Sequence, residues 1–134
     1  MIIEVKKLII RKQYEGNFAF TYSPKQESML LPLCHFDGDV KVEGTYEIYE
    51  DDTVGITFTI SYTIKGQCSY CLEDAQKLIQ FTSDVLFVLD KDDKDNYYYD
   101  GKNLDLTSAV EDALLISQPD VLLCKVGCNG IKLN

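Results

Sequence analysis

Thr53-Val54-Gly55-Ile56-Thr57-Phe58-Thr59-Ile60-Ser61-Tyr62-Thr63-Ile64 sets Thr or Ser against Val, Ile, Phe and Tyr for almost its whole length. Side chains alternate across a strand, so this pattern puts one face in a core and the other toward water. It is the signature of a long strand buried on one side. Just before it, Val40 to Tyr49 is rich in β-branched and aromatic residues, and Glu50-Asp51-Asp52 reads as the hairpin turn between the two. Gly66 closes the strand and the chain runs directly into Cys68-Ser69-Tyr70-Cys71.

Outward from this hairpin, Met1 to Ile10 reads as a first strand from its Ile, Val and Leu content. Residues 13–24 carry aromatics at period two (Tyr14, Phe18, Phe20, Tyr22) and read as a second, with Gly16-Asn17 as a turn before it and Ser23-Pro24 as its end. Residues 25–39 read as a connecting segment with a short helical turn around Gln26 to Leu31. Glu73 to Lys77 reads as a single helical turn, 78–89 as a strand, and Tyr97-Tyr98-Tyr99 as a short strand before the Asp100-Gly101 turn. One segment has a helical period. Leu106, Val110, Ala113, Leu114 and Ser117 share a face, Asp105 or Thr107 can cap it, Glu111 and Asp112 stay outside it, and Pro119 stops it. The expected fold is α+β, a mostly antiparallel twisted sheet of about five or six strands with one main helix (about 105–118) packed on it.

The 134 residues suit a single domain, 1–134, with an ordinary apolar fraction of 46%. The N-terminus lacks the order of a signal peptide and no apolar run is long enough for a membrane helix, so a cytoplasmic protein is expected. The net charge is −9, unevenly spread: Lys6, Lys7, Arg11 and Lys12 against Glu4 make the first twelve residues +3, and the remainder is −12. Strong autonomous gripping of a phosphate backbone depends on clustered Lys and Arg and is disfavoured. An acidic body suits a basic protein partner, and the four N-terminal cations are the candidate nucleic-acid contacts.

Five cysteines without a secretory signal point to reduced thiols. Cys68 and Cys71, with Cys124 and Cys128, have the spacing of paired ligands. Four thiolates around zinc form a closed structural site with no position for substrate. Two other readings stand beside it: buried thiols acting as small hydrophobes, and a CxxC thiol-disulfide redox or metal-handling protein. Cys34-His35 has poor geometry for nucleophile and base, because neighbours in an extended chain point to opposite faces. The acidic run from Asp90 fails as a calcium loop, with Asp95 where glycine is required and Gly101 where a carboxylate is required. No phosphate loop, nucleophile elbow or dinucleotide fingerprint is present, and no catalytic residues are assigned.

Gly66-Gln67-Cys68-Ser69-Tyr70-Cys71-Leu72-Glu73 resembles the "C-x-R-C-L" signature of the YceD family, the large ribosomal RNA subunit accumulation proteins, with Tyr70 where arginine is usual. The order Leu104-Asp105-Leu106, acidic helix, Pro119, Leu123-Cys124, Cys128-Asn129-Gly130 is similar to the same family, and the likeness covers roughly residues 40–134. The resemblance implies a role in accumulation of large-subunit ribosomal RNA, that is, in ribosome biogenesis, and the closed thiol site with no catalytic motif makes a non-enzymatic protein the expectation. The expected partners are the large-subunit precursor, a basic ribosomal protein or an assembly factor, with weak or indirect RNA contact. A stress-related interaction module without a ribosomal link is the third alternative.

Overall fold

The computed structural model of the chain describes residues 1–68, 71–120 and 122. In chain order these form β1 (Ile2–Ile3), α1 (Val5–Ile10), β2 (Glu15–Tyr22), a 3-10 turn (Gln26–Ser28), β3 (Cys34–Ile48), β4 (Val54–Gln67), β5 (Asp74–Val88), β6 (Tyr97–Tyr98), β7 (Leu104–Asp105) and α2 (Thr107–Ser117). Five strands make one sheet in the order β2-β3-β4-β5-β6, and β1 pairs with β7 in a separate two-stranded ribbon. All pairings are antiparallel except β5 with β6. The α+β expectation holds, with the strands dominant.

The central strand is the one whose alternation is clearest. Val54, Ile56, Phe58, Ile60, Tyr62 and Ile64 are all buried, and the residues between them are not. Their face packs against Val40 and Val42 of β3, Phe87 of β5, and the Ala109, Val110, Ala113 and Leu114 face of α2. Each such apolar side chain removed from water contributes about 1.5–3 kcal/mol. Val5, Leu104, Leu106 and Leu122 join the same core. The Tyr62 hydroxyl and Ser117 Oγ lie 2.7 Å apart, tying the sheet to the last turn of α2.

Five local expectations are corrected. Residues 1–10 are not one strand: Ile2–Ile3 is a strand and Val5–Ile10 a helix, because the core takes Val5 fully and Leu8 and Ile9 partly. Gly16 and Asn17 lie inside β2, paired with Tyr46 and Thr45, because the Tyr46 ring lies across Gly16. Residues 34–39 belong to β3. Its register shifts between Asp37 and Lys41, and Gly38 there takes φ +80, so the bulge hides the strand's period. Gly66 does not end β4, which runs to Gln67, because Gly66 itself pairs with Cys34 and Ala75. Glu73 to Lys77 is not a helical turn, since β5 starts at Asp74 and pairs back along β4 from Gln67.

Candidate functional site

The β4–β5 hairpin ends in the first cysteine pair. The Cys68 N–H donates to Glu73 O (2.7 Å), and the Leu72 N–H donates back to Cys68 O (3.0 Å). These two bonds close a tight turn around Cys68 and Cys71. Leu72 takes φ +61, a left-handed conformation that costs a residue with a Cβ roughly 1–2 kcal/mol. Cys68 is fully buried and Cys71 is partly exposed.

A third thiol stands at the same end of the sheet. Cys34 pairs with Gly66, and an added Cβ at Gly66 would lie 2.8 Å from Cys34 Sγ. It would also meet the Leu33 carbonyl oxygen and, at 2.7 Å, Cys34 Cα, so glycine at 66 is what lets the start of β3 approach β4 this closely. Cys34 belongs to the same buried core as the apolar face of β4. Burial pushes the Cys34 thiol up, opposed by a backbone hydrogen bond from Gln67. A buried thiol held protonated in this way is a packing group, and nothing in the sequence marks its nearness to the CxxC, because the two are joined only through strand register. His35 is exposed on the opposite face, so the Cys34-His35 pair has no shared site.

The described residues include Cys68 and Cys71 of the four expected thiol ligands, at the turn that joins β4 to β5. They hold no group of three or more His, Cys, Asp or Glu that could hold a metal ion. Cys124 and Cys128 lie outside the described residues, as do Ser69 and Tyr70.

Lys6, Lys7, Arg11 and Lys12 are all exposed on and just after α1. Lys7 Nζ is held 3.0 Å from Glu4. The Ile48 N–H donates to Tyr14 O (2.6 Å), which ties the end of this segment to the β3–β4 turn. The basic segment and the thiols thus stand at opposite ends of the sheet.

The sheet face turned away from the helices was not anticipated as a feature. Along β4 it presents Gly55, Thr57, Thr59, Ser61 and Thr63, flanked by Asn17, Glu43, Thr45 and Glu47 on one side and by Gln80 and Asp84 on the other. Two adjoining depressions of about 930 and 1130 Å³ lie on it. Among the described residues no helix is long and apolar enough to cross a membrane.

A family model described as "Large ribosomal RNA subunit accumulation protein YceD" matches residues 56–134. That segment holds most of β4, both cysteine pairs, β5 and α2. Comparison with curated proteins and with solved structures finds no match. With the match spanning more than half of the sequence, the chain belongs to the YceD family.

Proposed function

We propose that this chain is a non-enzymatic accessory protein of ribosome biogenesis in the cytoplasm, supporting accumulation of large-subunit ribosomal RNA. The observation that carries the reading is the family match over residues 56–134. The partner is a basic ribosomal protein or assembly factor, or a large-subunit precursor particle, rather than bare RNA. Supporting this, the body beyond residue 12 carries a net −12 and the only basic cluster is the short N-terminal one. Lys6, Lys7, Arg11 and Lys12 make at most a weak or indirect RNA contact.

Cys68, Cys71, Cys124 and Cys128 form a structural zinc site. The two backbone bonds that close the turn at Cys68 and Leu72 support the reading, since paired ligands with two residues between them are held from one turn. Zinc there would tie the hairpin to the chain's last cysteines and carry no chemistry. No observation favours a CxxC redox protein. Cys68, the first thiol of the pair, is fully buried, and Cys71 is only partly exposed.

The test is recovery of the tagged protein from lysate at moderate salt, with and without nuclease. Large-subunit proteins that stay bound after nuclease are the expected result. Loss of everything after nuclease makes RNA the ligand, and recovery of no large-subunit component rejects the reading.

A further inference from the structure

We propose that the uncovered face of the five-stranded sheet is the docking surface for a lysine- and arginine-rich protein segment in extended conformation. The inference rests on the reading above that the partner is a basic protein, and it assigns the place of contact. α2 packs on the other face, and among the described residues no element crosses this one. Its floor is a row of short side chains, Gly55 to Thr63 on alternate positions of β4. The two depressions share Asn17 and Thr45 and run from Gly55 to Thr63, about 27 Å at the rise of an antiparallel strand. That is the length of about eight extended residues.

The walls set the chemistry of the occupant. Seven carboxylates and one ammonium group, Lys41, line the two depressions. Glu15 and Glu47 stand directly opposite each other on β2 and β3, a like-charge pair that weakens a sheet unless a cation joins it. Among the described residues the ion pair on this face is Lys65 with Asp37, at the far end (3.2 Å). Floor hydroxyls are bonded across strands, Thr59 to Thr82 and Thr57 to Asp84, both at 2.7 Å, and hold the surface in shape. The carboxylates stand mainly on β2 and β3, and exposed Leu78 and Leu86 stand on the β5 side, so the surface fits long cationic side chains whose alkyl stems pack on the leucines while their charged ends reach the carboxylates. Nucleic acid would meet the same carboxylates as repulsion.

The probe is a ten-residue peptide alternating lysine and arginine with serine, titrated into the isotopically labelled full chain in 150 mM salt and followed by amide chemical shifts. Shifts concentrated on β2, β3 and β4 at 15–19, 43–47 and 55–63 are expected. The double variant E43K/E47K should weaken binding at least tenfold. The control E27K/D92K, with the same change of charge at exposed sites off this face, should stay within twofold. Equal weakening by both variants, or shifts centred on the acidic loop 90–96, overturns the proposal. The same variants separate this inference from the ribosomal reading in the lysate experiment. If E43K/E47K still recovers large-subunit proteins as the unaltered chain does, the docking face is wrong and the ribosomal role stands. If the unaltered chain recovers none while the peptide still binds between β2 and β4, the face stands and the ribosomal role fails.

Discussion

Single residues join parts of this molecule that are distant in sequence. Gln118 is the one buried polar side chain among the described residues. Its Oε1 accepts from the Leu30 N–H (2.9 Å) and its Nε2 donates to Ser28 O (2.7 Å), clamping the segment before β3 onto the end of α2. Gln118→Ala should cost about 1–3 kcal/mol, because two backbone groups lose their partner. Urea unfolding measures it, and an unchanged midpoint refutes the clamp. Tyr97 and Tyr99 are pushed up to about 12, first by burial, then by Asp112 beside Tyr97 and by Asp52, Asp51 and Asp100 around Tyr99. The Tyr99 hydroxyl donates to Asp52 O, and Tyr97 donates to Asp112 Oδ2 at 2.5 Å. In the unfolded chain a tyrosine ionises near its ordinary value of about 10. The native state therefore keeps these protons longer, and their contribution to stability is full below pH 10 and lost as pH rises toward 12. Thermal unfolding midpoints should fall through that window, and Tyr99→Phe should flatten the fall. Equal slopes for the two proteins contradict the assignment.

At the scale of elements, α1 shows how tertiary context overrides local composition. Ile, Val and Leu in residues 1–10 favour a strand, yet Val5–Ile10 is helical. The helix closes in a Schellman motif, with the Gln13 N–H on Leu8 O (2.8 Å) and the Lys12 N–H on Ile9 O (3.0 Å). Lys12 holds φ +57 there, where glycine is the usual residue. Lys12→Gly should therefore stabilise the protein by about 0.5–1 kcal/mol. A lower melting temperature in calorimetry would count against the motif. The same position explains why the helix was not legible: its stop signal is a lysine. β4 was legible because each of its buried positions is apolar and each alternate one is not. α2 was legible through its period and through Asp105, whose Oδ1 accepts from the Thr107 N–H (2.9 Å) and hydroxyl (2.6 Å). The start of β3 was not, since Gly38 and two aspartates form its bulge. In the candidate site, the turn at Cys68 and Cys71 could be read from spacing. Cys34 beside it could not, because only the pairing of Cys34 with Gly66 brings it there.

For the whole molecule, the sheet separates three surfaces: thiols at one end, cations at the other, and a carboxylate-lined face between them. If Cys68, Cys71, Cys124 and Cys128 hold zinc, the purified protein should contain about one metal ion per chain. Chelation should then lower its thermal midpoint and expose thiols to alkylation. Metal-free protein with an unchanged midpoint removes the zinc site and leaves the family role untouched. That role is the central claim, and its most direct test is the ratio of large- to small-subunit ribosomal RNA in cells lacking this chain. The account predicts a lowered ratio, restored by the unaltered protein and not by E43K/E47K. A ratio that does not change when the chain is lost would contradict it.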